Sequence, residues 1–223
     1  MIRNIVFDLD GVLFDGCDLH ANLFLRAVLQ VRPDLELTKE YHDIHFNGLP
    51  TKRKLKLLGI SDDESTQISI LKQEFTATHL STLGKCVKNI ELCEELNRQG
   101  FKIFCVSNSI RSTVENVLSQ MGILHMFSGI LSNGDVSESK PSPIPYLTLF
   151  DRYSISSDEC LIVEDSEFGI LSATTSGAFV LCVRNCDDVT VSTILGTVEK
   201  IKSDSSTKKH FAYSLFPYIN LNF

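Results

Sequence analysis

In the stretch NIVFDLDGVLFDG, residues 4–16, the apolar run Ile5–Phe7 ends in two carboxylates, Asp8 and Asp10, separated by one leucine and followed at once by Gly11. A buried carboxylate is costly unless a cation or hydrogen bonds compensate it, so this pair either faces open water or holds something positive. Polar groups of related chemistry recur further along: Ser107 and Asn108 after FKIFCV, Lys140 within SESKPSP, and Glu164 with Asp165 after CLIV. Carboxylates, a hydroxyl, an amide and an ammonium are together a set suited to phosphoryl transfer. Mg²⁺ is usually held by one or two carboxylates plus waters and substrate phosphate, which Asp8, Asp165 and Glu164 could supply. Ser107 and Asn108, at the start of a helix, offer polar groups and backbone N–H donors to phosphate oxygens, and Lys140 adds a compact positive charge. With a metal neutralising charge, one aspartate can attack phosphorus while its neighbour two residues on carries the proton. Taken singly, each group also has a bland account as a turn residue, a helix cap or a solvated lysine.

The elements that must position these groups are read from periodicity. Strand-like runs at Ile5–Phe7, Phe101–Val106, Cys160–Val163 and Phe179–Val183 alternate with helical patterns, which predicts a doubly wound parallel sheet of the Rossmann-like α/β class. In such a sheet functional groups gather at the carboxyl ends of the strands, where the residues above all fall. Ile90, Cys93, Leu96 and Gly100 mark one crossover helix, and Ile110, Val114, Val117, Met121 and Gly122 another. Residues 16–86 carry only helix-like patterns, with a capping-box signature from Ser61 to Glu64, and are too long for a loop. The expected division is an α/β core domain of residues 1–15 and 87–186, an inserted α-helical cap domain of 16–86, and a C-terminal extension of 187–223 made of a helix, the polar linker EKIKSDSSTKKH and the apolar tail FAYSLFPYINLNF.

With four stretches in order, the chain resembles the haloacid dehalogenase-like hydrolase superfamily: FDLDGVLFD is similar to its first motif, VSNS to its second, KPSPIPY to its third and VEDSEFGI to its fourth. The helical insertion is similar to the cap of the β-phosphoglucomutase-like subgroup, whose members are mostly phosphatases. The resemblance implies Asp8 as a nucleophile that becomes an aspartyl-phosphate and Asp10 as general acid and base. It implies Mg²⁺ at Asp8, the Asp10 carbonyl and Asp165 with Glu164 beside them, and phosphate bound by Ser107 and Lys140, with Asn108 a further phosphate candidate from its place beside Ser107. His20 corresponds to a common histidine of the subgroup, and its place in line with Phe24 and Ala27 suits a half-buried structural residue equally. In NGLPTKRKL, Gly48 is family-like, Thr51 stands where mutases place a cap arginine, and Lys52 lies one position from the Schiff-base lysine of phosphonate hydrolases. Ser or Thr is frequent in the subgroup where this chain has Gly16, and Asp where it has Ile144. The basic run Lys52–Lys56 reads either as a wetted helix face or as a lure for an anionic substrate.

The expectation is therefore a Mg²⁺-dependent phosphatase acting on a small phosphorylated metabolite. The alternatives are a sugar-phosphate mutase and a non-catalytic phospholigand-binding module. A formal charge of -7 supplies no broad basic face and argues against a nucleic-acid partner. No apolar run approaches the roughly 20 residues a membrane span needs. Seven scattered cysteines without a CxxC pair read as free thiols of a cytoplasmic protein, expected to be a monomer or weak homo-oligomer.

Overall fold

The computed structural model describes residues 1–80, 84 and 86–203, together with the backbone of 212–214. Six strands, β1 (Asn4–Phe7), β2 (Lys102–Val106), β3 (Gly129–Leu131), β4 (Cys160–Glu164), β5 (Phe179–Cys182) and β6 (Ala212–Ser214), pair in parallel in the order β3-β2-β1-β4-β5-β6. Strand β1 is central and all four of its residues are buried, which is why it reads as continuous apolar sequence with Asn4 the one polar member. The chain builds outward from β1 in one direction through β2 and β3, then returns to its other side for β4 and β5. The order therefore reverses beside β1, where a parallel sheet opens a crevice.

Register does the rest of the positioning. Phe7 lies level with Cys105 of β2 and Val163 of β4, so Asp8, Ser107, Glu164 and Asp165 emerge together at one edge of the sheet. Successive strand residues face opposite sides, and the two faces carry separate apolar layers. Ile5, Phe7, Ile103, Cys105, Leu161 and Val163 pack with α5 (Val87–Arg98), α6 (Arg111–Gln120) and α9 (Val191–Ser203). Val6, Phe104, Val106, Ile162 and Val180 pack with α7 (Ile144–Tyr153) and α8 (Glu167–Thr175).

The insertion between β1 and α5 contains α1 (Cys17–Val31), α2 (Lys39–His45), α3 (Thr51–Leu57) and α4 (Asp62–Leu80), which share an apolar cluster of their own around Phe24, Phe46, Leu55 and Ile68. Phe168 at the start of α8 packs against that cluster and joins it to the sheet. The expected capping box opens α4: Ser61 N–H donates to Glu64 Oε2 at 3.2 Å, and Glu64 N–H to Ser61 Oγ at 3.5 Å. Strand β3 has no counterpart in the sequence reading, because three residues are too few to show a period. Glu199–Ser203, read as the start of a linker, form the last turns of α9. Of the apolar tail, Ala212–Ser214 pair with β5, with Leu181 level with Tyr213. The remaining linker, with Lys208, Lys209 and His210, and the rest of the tail lie outside the described residues. No helix among the described residues is long and apolar enough to cross a membrane.

Candidate active site

Asp8 is the first residue past β1; its N–H donates to Val163 O at 3.0 Å, which pins it to the neighbouring strand. Its Oδ1 accepts from Lys140 Nζ at 2.7 Å, and the same ammonium donates to Val106 O at 2.8 Å and to Glu164 Oε1 at 2.5 Å. All three side chains are buried. Glu164 also accepts from the Tyr146 hydroxyl at 2.7 Å, and a Cβ on Gly169 of α8 would collide with its carboxylate. The missing side chain at Gly169 leaves room for the Glu164 carboxylate. Burial disfavours the charged form of Lys140, but Asp8 and Glu164 outweigh it and hold the ammonium well above its ordinary range.

Asp10 is placed differently. Its Oδ2 accepts from the Ser109 hydroxyl at 3.0 Å and its Oδ1 lies 3.0 Å from His20 Nε2 on α1. Burial opposes ionisation, yet His20, the Ser109 hydroxyl and Lys72 together hold this carboxyl below the usual carboxylate range. Gly11 turns the chain between the two aspartates and Asp165 with φ +86°, and a Cβ there would run into the Asp165 carboxylate. Gly16, at the start of α1, is equally constrained: a Cβ would come within 2.6 Å of Asp10 Oδ1 and of the Phe14 ring. The residue that departs from the subgroup's Ser or Thr is thus one that this arrangement of Asp10 cannot exchange for either.

Ser107 is buried, its N–H donates to Leu131 O and its Oγ accepts from Ser109 N–H at 3.0 Å, which tightens the turn ahead of α6. The Asn108 side chain is fully engaged: Nδ2 donates to Gly48 O at 2.8 Å and Lys140 O at 3.3 Å, and Oδ1 accepts from Lys140 N–H at 3.0 Å. It ties the cap to the core and fixes the Lys140 loop. Gly48 (φ +75°) approaches Ser166 so closely that a Cβ would sit 3.2 Å from its side chain. His20, Gly48, Thr51 and Lys52 all line one cleft of about 400 Å³ with Asp8, Asp10, Ser107, Asn108, Lys140 and Asp165.

Several lining residues escaped the sequence reading. Lys54, taken with its neighbours as one basic run, is buried where Lys52, Arg53 and Lys56 are exposed, because position 54 falls on the inner side of α3 beside Leu55. Lys72 sits on α4, a helix polar on most of its circumference, so no periodicity singled it out. Tyr146 and Ser109 lay inside the quoted motifs, and only their contacts give them roles.

One oxygen of each of Asp8, Glu164 and Asp165 lies within 4.8 Å of the other two, and Asp165 Oδ1 is buried without a hydrogen-bond partner. Three carboxyl groups and an orphaned oxygen fit a hard divalent cation. Burial, followed by the neighbouring carboxylates for Asp165, pushes Asp8 up to about 7 and Asp165 up to about 8; a cation beside them would reverse that. Both values exceed the 3.8 of a free aspartate, so the metal-free fold holds the full contribution of these groups at low pH and loses it as pH rises through about 7 and 8. The melting temperature of metal-free protein is accordingly expected to fall between pH 5 and pH 8.5. Added Mg²⁺ should raise it by several degrees at the upper end and little at the lower, as read by thermal denaturation; an equal rise at both ends contradicts the assignment.

The model of the haloacid dehalogenase-like hydrolases matches residues 5–183, and the chain belongs to that family. Its curated relatives include the phosphoglycolate phosphatase of Vibrio cholerae, 30% identical over 188 residues that cover 80% of this chain and 82% of that one. The fructose-1-phosphate phosphatase YqaB of Escherichia coli is 25% identical, with 81% and 95% covered. Among solved structures, β-phosphoglucomutase from Clostridium difficile superposes with a TM-score of 0.74 at 18% identity, covering 91% of this chain and all of that one. This last likeness establishes the fold, a Rossmann-like core with an inserted helical cap. Within the family, the chain is a phosphoric monoester hydrolase.

Proposed function

We propose that the enzyme hydrolyses a small phosphomonoester, a sugar phosphate or similar metabolite, through an aspartyl-phosphate on Asp8 with Mg²⁺ as cofactor. The observation that carries this reading is the single cleft in which Asp8, braced by Lys140, faces a second carboxyl group on separate partners, Asp10 with His20 and Ser109. Asp8, the Asp10 carbonyl and Asp165, with Glu164 adjoining, would hold Mg²⁺, which when bound offsets the negative charge of the phosphoryl group and its attacking carboxylate.

The chain's own residues then divide the work. An Asp8 carboxylate oxygen attacks phosphorus, the bond to the ester oxygen breaks, and the leaving oxygen takes a proton from Asp10. Asp10 is held ionised in the free site by His20, and the incoming phosphate dianion raises its proton affinity so that it can carry that proton. In the second half Asp10 accepts a proton from water, the water oxygen attacks phosphorus, and inorganic phosphate leaves with Asp8 restored as a carboxylate. The Ser107 hydroxyl and the N–H groups after it hold the peripheral oxygens, and Lys140, whose three protons go to Asp8, Val106 O and Glu164, offsets their negative charge from beside Asp8. The cap, tied down through Asn108 and Gly48, excludes bulk water and selects the substrate.

Thr51 in place of a cap arginine favours hydrolysis over a mutase, which must hold its substrate through reorientation. Residence in a reducing cytoplasm belongs to the same reading and is supported by seven cysteines that all stand as free thiols. So do action as a monomer or weak homo-oligomer and the division into core (1–15, 87–186), cap (16–86) and extension (187–223). The test is phosphate release across a panel of small phosphomonoesters with Mg²⁺ and with excess chelator. Metal-dependent release is expected, and conversion of a sugar 1-phosphate into its 6-phosphate without net release would establish the mutase instead.

A further inference from the structure

Two lysines on the cap side of the cleft are enclosed without forming an ion pair with any described residue. Lys54 is 6% exposed; its Nζ lies 2.9 Å from His42 Nε2 and 5.2 Å from the centre of the Phe24 ring. Partly buried Lys72 donates to Thr51 Oγ1 at 3.2 Å. Among the described residues neither ammonium has a carboxylate at ion-pair distance, and Asp10 acts on both only from farther away, whereas Lys140, the buried lysine of the core, pairs directly with two. Removing an ammonium from water without an anion is strongly unfavourable. The strain is visible in both residues: burial, and then Lys72, push Lys54 down to about 7, and burial lowers Lys72 as well.

His42 completes the arrangement. It is 2% exposed, and burial together with Lys54 holds it down at about 4, so at neutral pH it is an uncharged imidazole. Nδ1 lies 3.4 Å from Asp43 Oδ1 and can donate to it, which leaves Nε2 to accept from Lys54 and fixes how that ammonium is held. Lys54, Lys72, His42 and Thr51 all line the cleft that contains Asp8 and Asp10.

We propose that these four residues form an anion subsite of the cap, which binds a second negatively charged group, a carboxylate or a second phosphate, at the non-reacting end of the substrate. The subsite deepens the phosphatase reading, on which it rests, to one class of substrate: short phosphomonoesters that carry two anionic ends. The core end neutralises one through Lys140 and a cation, and the cap end the other through Lys54 and Lys72. Such a site is an instance of stability given up for binding, since the empty pocket stores the unfavourable burial that the ligand relieves.

The experiment measures kcat/KM for phosphomonoesters matched in chain length and ending in a hydroxyl, a carboxylate or a second phosphate, for wild type and Lys54→Met. Wild type is expected to favour one or both dianionic-ended compounds over the hydroxyl compound by roughly tenfold or more, the two anionic arms telling which group the cap takes. In Lys54→Met that ratio should collapse toward one, mainly through KM. The same substitution should raise the melting temperature of the ligand-free protein, because it removes an uncompensated buried charge. Equal kcat/KM for all three compounds in wild type, an unchanged ratio in Lys54→Met, or a variant that melts lower or fails to fold would each overturn the subsite. Absence of turnover on every compound would instead overturn the phosphatase reading beneath it.

Discussion

Asp8→Asn is expected to lower kcat by roughly 10⁴-fold or more, the scale on which loss of a nucleophile that acts as one unit with its partners is felt. The substitution keeps shape and removes only the charge and the attacking oxygen. Lys140 retains Glu164 and Val106 O as acceptors, and the amide oxygen can still accept from Nζ in place of Asp8 Oδ1. Because burial already raises the Asp8 carboxyl to about 7, its replacement by a neutral group should leave the melting temperature unchanged or slightly higher. Steady-state phosphate release and denaturation on the same preparation make the comparison. Rapid acid quench should find phosphate on the peptide containing Asp8 in wild type and none in the variant. Turnover within tenfold of wild type would remove Asp8 as nucleophile.

Lys140→Ala is expected to have the largest effect on stability of any single substitution in the site, roughly 3–5 kcal/mol at pH 7. The loss is not that of one surface ion pair. Lys140 and Glu164 are almost wholly enclosed, and removal of the ammonium leaves the Glu164 and Asp8 carboxyl groups close together without the cation that both face. Two features separate this from loss of packing. The destabilisation should shrink at pH 5, where Asp8, raised by burial to about 7, is protonated and no longer pairs with Lys140 as an anion in the wild type, and activity should be lost even at temperatures where the variant is folded, because Asp8 and the peripheral phosphate oxygens lose the same cation. Chemical denaturation at both pH values checks the first and kcat/KM at low temperature the second; an equal loss at pH 5 and pH 7 would mean that the methylene stem rather than the charge matters.

Much of the fold was legible in the chain because its signals are local. The four long strands are apolar runs of a length only a buried strand explains, and the crossover helices end in Gly100 and Gly122, both with positive φ. The paired aspartates, VSNS, KPSP and VED could be placed at the carboxyl end of one sheet once a parallel topology was accepted. Gly16 was legible as a departure but not as a necessity; that Asp10 and Phe14 leave no room for a Cβ is a property of the folded turn. Asn108 read as a phosphate ligand, and its amide proved to be a clasp between Gly48 and Lys140.

The sequence by itself determined the class of fold, the order of its elements and the chemical kinds of group at the carboxyl edge, since these follow from hydrophobic period and residue type, which are written along the chain. Only the tertiary structure decided which charges share partners. Asp8 and Lys140 are 132 residues apart and meet at 2.7 Å, while Lys54 parts from its exposed basic neighbours to face His42. Desolvation and Coulomb attraction depend on distance and burial in three dimensions, and a linear pattern encodes neither. Two aspartates alike in sequence thus leave the fold with opposite character: Asp8 is raised by burial and Asp10 is held ionised by His20 and Ser109.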